Sequence, residues 1–296
     1  MSKITRRNFI KYSSMSLAAA SFAPSLTACQ MVRKGNLSTG IQDKLQFVHV
    51  TDTHLDLGKP KTVRRVEMLV EKINNDFPAL DFVLFGGDNF NNNVSGNGDA
   101  AMFRKIIDEL HCPAYAVMGN KESSPKPDGD PLNQSDFAKM FFPSDVKIVG
   151  RDWKFDKGNY TILGLDSTIT QHDNGTYSSE TMSFAEQELK NHPDRHYVLL
   201  NHHPYDNFWG GTQQRNIHRY VLNNTAMVTE RLFSFNNLKL TLSGHKHLDY
   251  VGKKNNVIVI ATLGFIVPQD PDNENDHRFR HVEMRDGYVI QKLISI

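Results

Sequence analysis

The sequence is poor in cysteine. Cys29 and Cys112 are its only two in 296 residues, and Cys29 lies in an N-terminal segment of distinct composition. A disulfide scaffold is therefore excluded for the rest of the chain. Neither sign of charge dominates, with 34 Lys and Arg against 33 Asp and Glu and a net charge of +1. That balance gives no electrostatic case for a nucleic-acid or membrane-binding surface. There is no internal repeat and no heptad pattern. No apolar run reaches the roughly 20 residues that a spanning helix needs. What the chain does have is 39% hydrophobic residues, enough for a sizeable core, and 13 histidines. Its length suits one large domain or two small ones.

The first 29 residues read as an address. Thr5-Arg6-Arg7-Asn8-Phe9-Ile10-Lys11 pairs two arginines ahead of apolar residues and a lysine. A mildly apolar stretch rich in Ala and Ser follows, interrupted by Pro24. The segment resembles a bacterial twin-arginine export signal. Leu26-Thr27-Ala28-Cys29 resembles a lipobox, in which Cys29 is lipidated after cleavage. The alternative is cleavage at an ordinary small-residue site with Cys29 discarded. These resemblances imply the twin-arginine export machinery as a partner, a lipid anchor in the membrane through Cys29, and a location in the cell envelope (periplasm). Residues 30–43 read as a short polar tether, and residues 44–296 as one domain with no internal linker.

From Leu45 the pattern alternates. LQFVHVT (45–51), DFVLF (81–85) and PAYAVM (113–118) read as buried strands. Val63, Val66, Val70 and Ile73 recur at helical spacing and predict a helix over 61–75, and Phe103, Ile106, Ile107 and Leu110 mark a second. This β-α-β-α-β order argues for an α/β fold with helices packed on a sheet. Further strands are expected at 146–149, 160–165, 197–200, 238–242 and 257–261. A terminal hairpin is expected over 281–294 around Asp286-Gly287. A helix is expected to begin near Ser183, where Ser183 and Glu186 could form a capping box, and a long helix is expected over 216–235. Loops over 121–134 and after Pro204 are long and rich in Gly, Pro and Asn, which in a compact domain often marks function.

Polar residues gather just past the apolar runs. They are Asp52-Thr53-His54, Gly87-Asp88, Gly119-Asn120-Lys121-Glu122, Asn201-His202-His203-Pro204 and Gly244-His245-Lys246-His247. In an open α/β sheet the carboxyl ends of strands converge on one crevice. Asp52, His54, Asp88, Asn120, His202, His245 and His247 can then meet in space. Carboxylates and imidazoles suit divalent first-row metals. Seven ligands are too many for one tetrahedral site and about right for two ions sharing a bridge, which the two oxygens of Asp88 can supply. Paired metals are a device for displacement at phosphorus. Gly87 and Gly119 are expected to let the backbone turn sharply and aim the next side chain. Each motif alone is weak, since a lone Asp-x-His or Gly-Asp is usually a turn. Their combination in this order carries the signal.

Asp52-x-His54, Gly87-Asp88, Gly119-Asn120, His202-x-Pro204 and Gly244-His245-x-His247 resemble the five motifs of the calcineurin-like metallophosphoesterases, over about residues 45–250. The resemblance implies a two-sheet β-sandwich flanked by helices. It implies one metal held by Asp52, His54, Asp88 and His247 and a second held by Asp88, Asn120, His202 and His245. The ions would be manganese, iron or zinc, divalent or trivalent, with a metal-bridging hydroxide as nucleophile. The substrate would be a small-molecule phosphate ester, a monoester, diester or pyrophosphate. His203 matches no ligand position and is read as a packing or supporting residue. The broad pattern is also similar to bacterial cyclic-nucleotide phosphodiesterases and purple-acid-phosphatase relatives.

One position departs from the family. Most members carry histidine after the asparagine, assigned to the leaving oxygen, whereas this chain has Lys121. A lysine can neutralise a phosphoryl or leaving-group oxygen as a point charge. It is a weak general acid near neutral pH unless its pKa is depressed. The expected catalytic residues are thus Lys121, Asp88 and Asn120. The missing histidine keeps open a reading as a non-catalytic metal-binding lipoprotein. Tyr205, Phe208 and Trp209 would suit a nucleotide-like or lipid-like substrate, or simply cap a core.

Overall fold

The computed structural model describes residues 44–124, 129–209, 214–266 and 277–296. The signal segment and tether expected over 1–43 lie outside the described residues, as do 125–128 and 210–213 of the two long loops. Residues Ile41–Ile296 form one compact unit.

The first sheet grows from the β-α-β-α-β run. Its elements are β1 (Lys44–Val50), α1 (Pro60–Asp76), β2 (Phe82–Phe85), α2 (Gly98–Ile107) and β3 (Ala114–Ala116). The three strands pair in parallel. Much later in the chain, β11 (Arg278–Arg285) and β12 (Tyr288–Ser295) extend the other edge, giving the order β12-β11-β1-β2-β3. The turn between them carries Asp286 and Gly287 at positive φ (49° and 77°), the backbone that a tight two-residue hairpin demands. Two short helices follow β3, α3 (Asn120–Ser123) and α4 (Gln134–Phe141).

The second sheet has seven strands. They are β4 (Lys147–Val149), β5 (Asp152–Lys157), β6 (Tyr160–Gly164), β7 (His196–Leu200), β8 (Leu238–Ser243), β9 (Tyr250–Lys254) and β10 (Val257–Ala261), in the order β4-β5-β6-β7-β8-β10-β9. Its central strands β6, β7, β8 and β10 are parallel, and α5 (Ser179–Asn191) and α6 (Thr225–Leu232) cover it.

Side-chain alternation explains the layering. In β1, Leu45 and Phe47 point to the space between the sheets, while Val48 and Val50 point the other way. Phe47, Phe82 and Leu84 meet Ile162, Val198 and Leu242 in the inter-sheet core. Val48, Val50, Val83 and Phe85 pack instead under Val66 and Val70 of α1 and Phe103 of α2. Strands buried on both faces read as nearly continuous apolar runs, which is why these segments are conspicuous in the sequence. The fold is an α/β sandwich of two sheets flanked by helices, as the resemblance implied.

Two local expectations fail. The helix expected near Ser183 begins at Ser179, capped by the Ser178 hydroxyl, which accepts from Thr181 N (3.1 Å). Ser178 wins because Glu180 then sits in the first turn, where an acid suits the helix dipole. The long helix expected over 216–235 is broken into a 3₁₀ segment, Gln214–Arg219, and α6. Asn224 interrupts it, its side chain accepting from Tyr177 N (3.2 Å) and donating to Tyr177 O (2.9 Å). Such side-chain bonds to backbone compete with helix. Strands β5 and β9 and the helices α3 and α4 carry too weak a pattern to have been expected.

Candidate metal centre

The parallel strands release their next residues at one end. Asp52 N donates to Gly87 O (2.9 Å) and His54 N to Asp88 O (2.9 Å), so the β1 and β2 loops leave side by side. Gly244 N donates to His202 O (3.0 Å), and Ile266 N to Asp52 O (3.0 Å), joining the loops of both sheets. Asp52, His54, Asp88, His245 and His247 all have positive φ, from 45° to 66°. Such backbone costs on the order of 1–3 kcal/mol per residue and concentrates at functional sites.

The glycines divide in role. Gly87 has φ +92° and turns the chain, as expected. Gly119 is extended (φ −107°) and makes no turn. A Cβ there would stand 2.3 Å from Asp88 Oδ1. Gly119 is needed for space, so the expected sharp turn is corrected to a close approach.

The seven side chains singled out in the sequence converge. Asp52, His54 and His247 form one group whose donor atoms lie within 4.8 Å of one another, and Asp88, His202 and His245 form a second. Asn120 Oδ1 stands 3.2 Å from His202 Nε2, alongside the second group. Asp88, a member of the second group, also reaches toward the first. Its Oδ1 lies 3.4 Å from His202 Nε2, and its Oδ2 lies 3.9 Å from His54 Nε2.

Hydrogen bonds on the far sides of the rings fix which nitrogen faces inward. Asn91 donates its amide to Asp56 (3.2 Å), which leaves its Oδ1 to accept from His54 Nδ1 (2.9 Å). His202 Nδ1 donates to Gly86 O (2.9 Å), and His245 Nε2 donates to Arg219 O (2.7 Å). His54 Nε2, His202 Nε2 and His245 Nδ1 are then left to face the carboxylates with lone pairs. This is the outer-partner arrangement that orients metal-binding imidazoles.

Lone pairs facing lone pairs in a buried site require positive charge between them. Without a metal, protons on His202 and His247 supply part of that charge. Burial opposes the charged forms of Asp52 and Asp88, yet His247 and His202 respectively hold both acids below the usual carboxylate range. Burial also works against the charged form of His202, but the Asp88 carboxylate pushes it up to about 9. His54 is lowered chiefly by burial, and His245, by burial and then by His202, to about 4. Two buried carboxylates with four inward imidazoles fit divalent transition metals in donor type and in number.

The rim joins Lys121, singled out in the sequence, to residues that the sequence reading left without a role or did not single out. Lys121 N donates to Asp88 Oδ1 (2.7 Å), while the Lys121 ammonium points outward, 3.7 Å from Asp173. Arg219 NH2 meets the other oxygen of Asp173 at 3.2 Å. Glu122 is buried and serves as a backbone clamp. Its oxygens accept from Gly119 N (2.9 Å), Asp88 N (3.1 Å) and Asn89 N (2.6 Å). Burial, followed by the nearby Asp88 charge, raises Glu122 to about 7. Its spacing from Gly119 is the one sequence signal available, a capping-box interval. Nothing in the sequence marks Asp173 or Arg219. His203 is inward but accepts from Ser167 Oγ (2.8 Å) and donates to Asp173 O (3.1 Å), with its ring against His245. Of the loop aromatics, Tyr205 is buried and bonds Tyr177. Trp209 and Tyr220 flank Lys246, and Tyr220 lies beside His245.

Known proteins resemble this chain in sequence or in fold. The chain is 27% identical over 165 residues to the "Probable glycerophosphodiester phosphodiesterase GpdQ" of Arcobacter nitrofigilis, covering 53% of this chain and 56% of that protein. The match therefore spans little more than half of that relative. It is 24% identical over 241 residues to the 3',5'-cyclic adenosine monophosphate phosphodiesterase CpdA of Haemophilus influenzae, covering 77% of this chain and 79% of that one. Among solved structures it is similar in fold to a dimetal phosphatase from Danio rerio, with a TM-score of 0.63 at 12% identity over 85% of this chain and 98% of that one. The purple acid phosphatase PPD1 of yellow lupin has a TM-score of 0.56 at 14% identity over 86% of this chain and 52% of that one. The calcineurin-like phosphoesterase family model matches residues 45–249. The chain belongs to the calcineurin-like phosphoesterase family.

Proposed function

We propose that this chain is a metal-dependent phosphoric ester hydrolase that cleaves phosphate mono- or diesters at two metal ions. The observation that carries the reading is the Asp88 carboxylate, which turns one oxygen toward each group of ligands. Asp52, His54, Asp88 and His247 would hold one ion, and Asp88, Asn120, His202 and His245 the other. Manganese, iron and zinc all suit these donors. Two such ions, when bound, would supply a nucleophile at neutral pH and take up charge on the phosphoryl oxygens.

The chain's own residues do the rest. The paired loops of β1 and β2 hold Asp52 and Asp88 in fixed register. The far-side hydrogen bonds turn Nε2 of His54 and His202 and Nδ1 of His245 inward, and in the neutral ring that nitrogen carries the lone pair a metal would take. Asn120 adds a neutral oxygen beside the second group. Lys121, at the rim, serves as a point charge for a phosphoryl or leaving-group oxygen, in place of the family's usual histidine. The two relatives similar in sequence are named as a probable and a cyclic-nucleotide phosphodiesterase, which favours a diester.

Export rests on Arg6-Arg7 and on Leu26-Thr27-Ala28-Cys29, which put the mature chain in the cell envelope with a lipid on Cys29. A Cys29→Ala variant then leaves the membrane fraction. Wild-type protein already soluble rejects the anchor.

The experiment is a metal analysis of the mature protein paired with hydrolysis of a nitrophenyl monoester and diester in Mn²⁺. Turnover with two ions per chain is expected. Two bound ions with no hydrolysis of any phosphate ester would instead favour the non-catalytic metal-binding lipoprotein.

A further inference from the structure

Asp173 lies outside every sequence motif, in the loop after β6 between the bridged residues Thr168 and Gly175. Its main chain is pinned from below. Asp173 O accepts from His203 Nε2 (3.1 Å), and His203 Nδ1 in turn accepts from the Ser167 hydroxyl (2.8 Å). Its carboxylate faces the rim. Oδ1 accepts from Asn120 Nδ2 (3.2 Å) and lies 3.7 Å from Lys121 Nζ. Oδ2 accepts from Arg219 NH2 (3.2 Å). The carbonyl of Arg219 also accepts from His245 Nε2 (2.7 Å), so the same arginine is tied to the second ligand group.

The chemistry of a carboxamide makes the first contact informative. Its two ends are nearly the same size, and only hydrogen bonds decide which faces inward. The Asn120 oxygen faces His202 Nε2 while its NH₂ is given to an acid. With the amide reversed, a carbonyl oxygen would oppose the Asp173 carboxylate, and an NH₂ with no useful lone pair would face the centre. An ordinary rim ion pair explains the Lys121 and Arg219 contacts but not this one.

We propose that Asp173 is a positioning residue. It turns the Asn120 oxygen toward the second ligand group, and it holds Lys121 and Arg219 together as a two-cation receiver for a substrate's phosphoryl oxygens. The second half of this inference rests on the phosphoesterase reading above; the first does not. The Asp173 side chain is 45% exposed, so its loss leaves the metal-free fold intact.

The test compares Asp173→Ala and Asp173→Asn with wild type by Mn²⁺ titration calorimetry and by KM and kcat on a nitrophenyl phosphate diester. Loss of a ligand's outer partner typically weakens metal affinity about 10–100-fold. Asp173→Ala is expected to weaken one of the two ions by that factor and to raise KM. Asp173→Asn keeps an acceptor for the Asn120 amide and is expected to restore the ion while KM stays raised. Weak binding of one ion in Asp173→Ala with no hydrolysis by any chain would sink the phosphoesterase reading and uphold the positioning of Asn120. Two ions bound by Asp173→Ala as in wild type overturn the proposal. So does a metal-free Asp173→Ala chain that melts well below wild type, which would make the effect global. Should Asp173→Ala fail to fold, an unchanged KM in Asp173→Asn overturns the cation pairing alone.

Discussion

The floor of the metal centre and its rim are built by different means. The floor is backbone work: side chains at the ends of parallel strands, on left-handed residues, with fully buried carboxylates. The rim is side-chain work: Lys121, Asp173 and Arg219 are each 39–54% exposed and hold one another by ion pairs. Exposed ion pairs contribute little to folding, so the rim is free to vary while the floor is not. This difference suggests that the floor sets the chemistry and the rim sets what is bound.

Four changes would break or sharpen that contrast. The largest effect is expected from Asp88→Ala, which removes the carboxylate turned to both ligand groups. Its kcat/KM should fall by more than the roughly 100-fold that follows loss of an outer partner, and metal analysis should find the pair of ions lost. Retained turnover would mean that the floor does not set the chemistry.

Glu122→Gln comes next. Glu122 is an acceptor for three backbone N–H groups and the Asn89 amide (2.9 Å). Glutamine would turn a donor toward donors. Hydrogen bonds to charged groups contribute about 1.5–3 kcal/mol, and urea unfolding of the metal-free chain should show a loss of that order.

Lys121→Ala probes the rim. Removing one charged hydrogen bond to a phosphoryl oxygen, at about 1.5–3 kcal/mol, lowers kcat/KM roughly 10–100-fold. A receiver of phosphoryl charge loses the same factor on nitrophenyl and alkyl esters. A general acid would lose more on the poor leaving group. Full rates on both would remove Lys121 from the mechanism.

The smallest effect separates burial as such from the centre. Asp152, in β5, is buried away from the ligands, and burial raises its carboxyl to about 7 from 3.8, against the Asp166 N–H it accepts (2.8 Å). The folded chain therefore binds the proton more tightly than the unfolded one. This contribution to stability is present below about pH 3.8 and is lost as pH rises through about 7. Asp152→Asn should flatten the fall of the urea midpoint between those values and leave hydrolysis unchanged.

The same contrast explains what could be read from the chain. Asp52, Asp88 and His202 each follow an apolar run and His245 an alternating one, so parallel strands announce them. The order of those strands implies that their ends meet. Asp173 follows Gln171, itself at φ +60°, in a loop with no period, and it acts on Asn120 across 53 positions. Arg219 fell inside the segment expected as a long helix, where an exposed arginine needs no explanation. Glu122 sat within a motif already singled out, but its partners Asp88 and Asn89 lie in the loop after another strand, β2. Contacts between loops carry no periodic signature, and the rim consists of little else.

The central claim is that Asp88 joins two metal ions. Electron paramagnetic resonance of the Mn²⁺-loaded chain tests it directly. A spin-coupled pair at two ions per chain, absent in Asp88→Ala, is the predicted result. One ion per chain, or two that give uncoupled signals in wild type, would contradict it.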